Sequence, residues 1–304
     1  MKPTSEQPVI RQVFRITQPI SAARCRRLVK PLSALVGITA LTFGISACTQ
    51  TTQVTSQTVT SSNPNRTKQD PQEIARARTA IAAEFIRDHR LDDAQRQLDQ
   101  ALAADPKSAA AHDMMGVLLQ QEGSPINLKK AETYFKKAIA LDPEFSRAHN
   151  NYGVYLAQMQ RPNEAIAQFQ IAGAALGYEG RADALENLGR TALKVNNRQL
   201  AIQSFLKALD ANRQSIIARA ELIDILLADG RPVEARQLYN DLVVLIGEDN
   251  LDPRTLLQGI RLARLSQNAT QQQTLTQRLF DRYPLSDEAR QLKTWLSNPA
   301  ATWK

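Results

Sequence analysis

The chain has 304 residues, of which 43% are hydrophobic and 22% charged, and its formal net charge is +8. Seven of the 38 basic residues lie within residues 1–47 beside a single acidic residue, so the rest of the chain is close to neutral. This distribution argues against nucleic acid as a partner. The sequence has two cysteines, Cys25 and Cys48. Because no cysteine follows residue 48, the rest of the chain can form neither an internal disulfide nor a thiolate metal site.

The N-terminal segment has the layout of a bacterial lipoprotein signal peptide. Residues 32–43 form a largely apolar run behind four basic residues, and this run is too short to cross a bilayer as a helix. Ile45-Ser46-Ala47-Cys48 resembles a lipobox, which predicts that residues 1–47 are removed and that Cys48 is lipidated. Thr49 then implies the outer membrane. Ordinary secretory cleavage beside a chance cysteine is one alternative, and a translation start further downstream is another.

Residues 48–69 are rich in Thr, Ser, Gln and Asn and show no apolar periodicity. Such a segment cannot bury enough surface to fold, so we predict a flexible tether behind the lipidated cysteine. Asp70 and Glu73 then match a capping box at the start of a helix. The folded domain is therefore expected over residues 70–297, followed by a tail at 298–304.

The rest of the sequence repeats the pattern Ala-x3-Phe-x2-Ala, in places loosely, at intervals of 34 to 37 residues. The first alanines of the pattern are Ala94, Ala131, Ala165, Ala201 and Ala235, and glycines precede three of them by twelve to fifteen residues. A period of 34 is that of the tetratricopeptide repeat. We predict an all-α solenoid, a right-handed superhelix with a concave groove. Repeats are expected at 75–108, 109–145, 146–181, 182–215, 216–251 and 252–285, with a capping helix at 287–296.

Motifs of common enzymes are absent from the sequence. It contains no G-x-S-x-G, no H-E-x-x-H and no phosphate-binding glycine loop, and nothing in it indicates a cofactor. His112 and His149 occupy the same repeat position, where a packing residue is usual, and His89 falls in an exposed turn. We predict a non-enzymatic binding protein. An enzyme whose site these patterns miss, for example at a Glu186–Glu221 carboxylate pair, is the alternative.

A binding groove is expected along the first helix of each repeat. The predicted lining is mildly apolar in the first two repeats and polar further along, which suits a helix or an extended peptide. The alternative is that Ile86 and Val117 only complete the core between repeats. The residues predicted to line the groove are Thr79, Ala83, Ile86, Asp113, Val117, Asn150, Val154, Glu186 and Arg190.

Several runs resemble the PilF/PilW family, lipoproteins of type IV pilus biogenesis that act as pilotins of the pilus secretin. These runs are Asn150–Leu156, Leu185–Gly189, Leu257–Ala263 and Arg282–Pro284. Taken by their order and spacing, together with the lipobox and the six repeats, the resemblance covers nearly the whole mature chain. The resemblance implies an anchor in the outer membrane through lipid on Cys48. It also implies binding of secretin subunits and support of their assembly. A tetratricopeptide lipoprotein that serves outer-membrane barrel assembly or cell-wall enzymes is the competing interpretation.

Overall fold

The computed structural model of the protein describes residues 70–298 and Trp303, and the regular structure in this part is entirely helical. The predicted signal peptide at 1–47, Cys48 and the tether at 48–69 lie outside the described residues. None of the described helices is both long and apolar enough to cross a membrane. The α-helices are α1 Pro71–Arg87, α2 Leu91–Ala104, α3 Ala109–Glu122, α4 Pro125–Leu141, α5 Ser146–Gln158, α6 Pro162–Ala174, α7 Arg181–Lys194, α8 Arg198–Ala211, α9 Ile216–Ala228, α10 Pro232–Ile246, α11 Pro253–Leu265, α12 Ala269–Arg282 and α13 Asp287–Ser297.

The first twelve of these helices form six consecutive hairpins, one per predicted repeat, and α13 follows the last hairpin. The predicted tetratricopeptide-repeat solenoid is confirmed. The first helix begins at Pro71, directly after Asp70, where the capping pattern predicted a helix start, and proline fits the opening turn of a helix. The predicted capping helix is α13, and Ser286 is its N-cap: the Ser286 hydroxyl accepts a hydrogen bond from the backbone N–H of Ala289 at 3.1 Å.

Close packing within repeats two to four depends on a glycine opposite a phenylalanine. Phe135, Phe169 and Phe205 are each 0% exposed, and each faces the glycine on the first helix of its own repeat. A Cβ atom added to Gly153 would lie 2.6 Å from Cε1 of Phe169, and one added to Gly189 would lie 2.6 Å from Cε1 of Phe205. The lack of a side chain at these glycines therefore lets the paired helices approach each other closely.

The fifth repeat closes in a different way. Ile223, twelve residues before Ala235, stands where repeats three and four have glycine, and it is fully buried. The aromatic ring of the fifth repeat, Tyr239, packs towards Gly259 of the next repeat, where an added Cβ would meet its hydroxyl at 2.2 Å. A branched side chain at residue 223 therefore directs the aromatic ring across the boundary between repeats.

The turn within each of the six hairpins contains one residue in the left-handed backbone conformation. His89, Gln160, Asn196 and Gln267 have φ between 55° and 58°, and Gly123 and Gly230 have φ of 73° and 69°. In repeats three, four and five this residue stands five positions before the pattern alanine. Two of these six residues are glycine, so the other four turns carry a backbone conformation that is costly for a residue with a Cβ.

Candidate interaction surface

The first helices of successive repeats are joined by polar side chains along one face. We call this face, formed by α1, α3, α5, α7, α9 and α11, the inner face. Hydrogen bonds on it connect residues 33 to 38 positions apart, which is one repeat. They link α3 to α5, α5 to α7 and α9 to α11, and because a repeat in a solenoid contacts only its neighbours, they contribute to the stacking of these repeats.

Asp113 on α3 is the most deeply buried charged group of the inner face, at 0% exposure. Its carboxylate accepts hydrogen bonds from Nε of Arg147 and from Nδ2 of Asn151, each at 3.1 Å. Burial raises the pKa of Asp113, and the Arg147 guanidinium opposes that rise. The carboxylate thus links repeats two and three, while the Arg147 side chain keeps 22% of its surface exposed.

Further polar side chains continue this connection towards α9. Nδ2 of Asn187 on α7 donates a hydrogen bond to Oδ1 of Asn150 on α5 at 3.2 Å. The hydroxyl of Ser215 donates to a carboxylate oxygen of Glu186 at 2.6 Å and accepts from the backbone N–H of Ala218 at 2.9 Å. Ser215 therefore caps α9 and attaches it to α7 at the same time.

Ion pairs join the inner face from α7 to α11. The Arg254 guanidinium donates to both carboxylate oxygens of Glu221, at 3.1 and 2.9 Å, and to Asp224 at 2.8 Å. Burial lowers the pKa of Arg254, but the two carboxylates outweigh it and raise this pKa above its ordinary value. Arg190 on α7 lies 3.8 Å from Glu221. One carboxylate is thus shared by arginines of two helices.

The structure corrects the predicted exposure of the groove residues. The first helices pack against one another so closely that every residue from Ala111 to Leu119 and from Ala148 to Ala157 is buried. Ile86, Val117 and Val154 belong to the apolar core, so the alternative interpretation of Ile86 and Val117 was the right one. The buried positions among those predicted are Thr79, Ala83, Ile86, Asp113, Val117, Asn150, Val154 and Glu186, and only Arg190 is partly accessible.

Several arginines of the inner face are accessible to solvent. In the pairs of Asp113 with Arg147 and of Glu221 with Arg190 and Arg254, the carboxylate is the more buried partner: Asp113 is fully covered, and Glu221 exposes 14% of its side chain. Their arginines expose 22% at Arg147, 30% at Arg190 and 37% at Arg254. The pair of Asp224 with Arg261 is the reverse, because Asp224 exposes 33% and Arg261 only 9%. Buried acids with outward guanidiniums give a surface that suits a partner with acidic groups.

Arg254 and Arg261 were absent from the predicted site, although the sequence contains a signal for them. Arg147 follows Asp113 by 34 residues, Arg254 follows Glu221 by 33, and Arg261 follows Asp224 by 37. An acidic residue followed one period later by arginine marks neighbouring first helices in a solenoid. A search for pairs at that spacing would have identified these residues.

The histidines of the repeats have structural roles. Nε2 of His112 lies 3.0 Å from the carbonyl oxygen of Pro106, and Nε2 of His149 lies 2.9 Å from that of Pro143. Both rings therefore fasten the loop that precedes their own helix, and burial lowers the pKa of His112. Within the described residues, no group of three His, Cys, Asp or Glu residues is placed to hold a metal ion.

Comparison with known proteins agrees with the repeat architecture. Three tetratricopeptide-repeat family models match residues 111–145, 134–167 and 186–253. A solved tetratricopeptide protein with an unusual peptide-binding site, YrrB, aligns with a TM-score of 0.52 at 19% identity over 65% of this chain and 97% of that chain. This last likeness concerns the fold alone.

More specific matches come from proteins of type IV pili. The type IV pilus assembly protein PilF of Pseudomonas aeruginosa is 31% identical over 203 residues, which are 67% of this chain and 78% of PilF. A solved structure of PilF from the same organism aligns with a TM-score of 0.67 at 30% identity, over 74% of this chain and 98% of that one. The crystal structure of PilW, described as a widely conserved type IV pilus biogenesis factor, has a TM-score of 0.61 at 25% identity, over 72% and 98%.

Proposed function

Since this chain belongs to the PilF/PilW family of type IV pilus biogenesis proteins, we propose that it binds the pilus secretin subunit and supports secretin assembly in the outer membrane. The match to PilF, at 31% identity over 78% of that protein, carries the proposal. A tetratricopeptide scaffold is a protein-interaction fold, which supports a non-catalytic role. The protein would act as an adaptor between the membrane and the assembling pore.

The accessible arginines of the inner face support binding of a secretin segment that carries acidic side chains. Guanidinium groups bind carboxylates through paired hydrogen bonds. Arg190 and the exposed Lys194 lie one helical turn apart on α7. Partial burial lowers the pKa of Lys194, and the neighbouring Arg190 lowers it further. An acidic partner would relieve this concentration of positive charge.

The membrane anchor in this proposal is lipid on Cys48, which would hold the protein on the periplasmic face of the outer membrane. Cys48→Ala removes the thiol that would accept the lipid, and the proposal assigns no second membrane anchor to the chain. We expect the variant to leave the membrane fraction in high salt. Retention of the variant in outer membranes would contradict the lipoprotein assignment.

Secretin assembly is tested with a pair of matched variants. Arg190→Gln combined with Lys194→Gln removes positive charge from the inner face, whereas Lys207→Gln removes it from an exposed position on the second helix α8. We expect the double variant to capture less secretin and to reduce the amount of heat-resistant secretin multimer. The control should leave both unchanged, with circular dichroism spectra equal for all proteins.

Two outcomes would oppose the proposal in different ways. If the double variant assembles secretin normally, the contact lies away from the inner face. If crosslinking from position 190 captures outer-membrane barrel machinery or a murein hydrolase in place of secretin, the protein serves that machinery, as the competing interpretation of the sequence holds.

A further inference from the structure

A cavity of about 350 Å³ lies at the C-terminal end of the inner face, where α9, α11 and α13 meet. It borders the Arg190–Lys194 region through Arg254, which shares Glu221 with Arg190, but the secretin contact tested at Arg190 and Lys194 does not require its other wall residues. Cavities of this size bind small groups through an apolar wall and a few positioned polar atoms. The residues that form its wall include Asp224, Leu257, Gln258, Arg261, Glu288 and Trp295.

One side of the cavity is formed by Arg261, which is only 8% exposed. Its Nη1 donates to Oδ1 of Asp224 at 3.3 Å, while the other oxygen of Asp224 accepts from Arg254 at 2.8 Å. Its Nε has no hydrogen-bond partner in the described part of the chain. Leaving such a donor unpaired costs free energy, since a buried polar group needs a partner to offset the loss of water.

Gln258, one turn before Arg261, supplies the complementary atom. Its Nε2 donates to the carbonyl oxygen of Ala220 on α9 at 2.9 Å, which fixes the orientation of the amide. Its Oε1 is buried and, among residues 70–298 and Trp303, accepts no hydrogen bond. Two residues of the cavity wall, a single helical turn apart, therefore each hold a buried atom without a hydrogen-bond partner in the described part of the chain: a donor on Arg261 and an acceptor on Gln258.

The charges around the cavity indicate a neutral ligand. The wall carries two arginines, Arg254 and Arg261, and two carboxylates, Asp224 and Glu288. Glu288 forms no ion pair within the described residues, so it would repel an incoming carboxylate from the α13 side. A neutral group that both accepts and donates hydrogen bonds matches the two unpaired atoms without adding charge.

We propose that this cavity binds a carboxamide group of a peptide, supplied by an Asn or Gln side chain or by a backbone amide. The carbonyl oxygen of the ligand would accept from Nε of Arg261, and its N–H would donate to Oε1 of Gln258. Leu257 and Trp295 contribute apolar surface to the same wall. Small side-chain shifts must accompany binding, because both unpaired atoms are covered in the unbound protein.

The chain carries its own reporter of this site. Its two tryptophans are Trp295, in the cavity wall, and Trp303, which stacks on Trp295 with ring centroids 5.3 Å apart. Intrinsic tryptophan fluorescence of the purified full chain therefore reports on the cavity directly. The probes are N-acetyl-glutamine, N-acetyl-glutamate and N-acetyl-alanine, each as its N-methylamide.

Titration of the unmodified protein distinguishes the sources of the amide. A response to the glutamine probe that exceeds the other two supports a side-chain carboxamide, and equal responses to all three support a backbone amide. A response to the glutamate probe alone would overturn the proposal, because it would identify a carboxylate site. Absence of any response up to the solubility of the probes would also overturn it.

Variants then identify the binding atoms. Arg261→Lys keeps the charge but loses the Nε donor, and Gln258→Met loses Oε1; each should weaken binding of the responding probe about tenfold. Arg219→Lys is the matched control, because Nε of Arg219 is also buried and unpaired in the described part of the chain but lies outside the cavity wall. Thermal melts check folding, and unchanged affinity in folded Arg261→Lys and Gln258→Met would contradict the assignment.

Discussion

Repeats two to four and repeats five to six use the same helix pair but close it differently. In the central repeats a phenylalanine packs on a glycine of its own repeat, as Phe169 does on Gly153. In the fifth repeat Ile223 fills that place, and Tyr239 packs on Gly259 of the following repeat. The central repeats are therefore closed units, whereas the later ones depend on their neighbours for their aromatic packing.

The same contrast appears in the contacts between repeats and in the space that they leave. Asp113 and Asn150, in the central repeats, are completely buried where they join neighbouring helices. The later repeats are joined by partly exposed arginines, and cavities of about 350, 360 and 460 Å³ lie among α8 to α13. The junctions of the later repeats therefore combine accessible arginines with open space beside the helices, whereas Asp113 and Asn150 are covered by the helices that they join.

Removal of the central aromatic ring should cause the largest loss of stability. Phe169→Ala leaves a cavity inside a closed repeat, and we expect a loss of about 3–5 kcal/mol in the free energy of unfolding. Tyr239→Ala should cost less, since that side chain already borders the 460 Å³ cavity. Denaturant unfolding with native-state hydrogen exchange measures both, because a repeat array need not unfold in one step. Equal losses for the two variants would contradict the contrast, and Leu176→Ala, at an 84% exposed position, is the control.

Removal of the buried carboxylate should have the next largest effect. Asp113→Ala leaves Arg147 and Asn151 without their acceptor between repeats two and three, and we expect a loss of about 3 kcal/mol. Glu234→Ala removes a carboxylate from an exposed pair with Arg231 and should leave stability unchanged. Chemical denaturation of both variants provides the comparison. A cost at Glu234 equal to that at Asp113 would show that burial does not determine the value of these contacts.

The sequence predicted the contacts inside a repeat better than those between repeats. Ala131, Phe135 and Ala138 recur at fixed separations, so their burial against a partner helix follows from the pattern alone. The burial of Val117 and Val154 could not be predicted from the pattern in this way. It depends on how closely the first helix of the neighbouring repeat approaches. Trp303 stacks on Trp295 outside any periodic segment, so no pattern indicated that contact.

The acid stability of the central repeats should depend on Glu132. Burial favours a higher pKa, but hydrogen bonds from Arg161, Lys136 and Tyr152 outweigh it and lower the pKa of Glu132 from 4.5 to about 2. Because the folded-state pKa is depressed, this stabilisation is present above pH 4.5 and is lost as the pH falls through about 2.

Glu132→Gln tests this pH dependence. We expect the variant to be about 1–2 kcal/mol less stable at pH 7 and to approach the unmodified protein in stability as the pH falls from 4.5 to 2. Unfolding free energies measured across that range decide the point. A constant difference at every pH would show that the loss arises from packing and not from the charge. The exposed Glu179→Gln is the matched control.

The smallest effects are expected at two equivalent turns, one in each region. Gln160 and Gly230 both precede an Arg-Pro-x-Glu-Ala segment and have φ of 57° and 69°. A side chain raises the energy of this left-handed conformation, while glycine gains freedom in the unfolded chain. Gln160→Gly should therefore stabilise the protein by about 0.5–1 kcal/mol, and Gly230→Ala should destabilise it by about 1 kcal/mol. Gln160 is exposed, so its replacement removes little packing. Thermal and chemical unfolding measure both variants. If Gln160→Gly raises the stability and Gly230→Ala lowers it, the two regions share this turn despite their different cores. A loss of stability in Gln160→Gly would mean that the central turn is held by contacts of the Gln160 side chain.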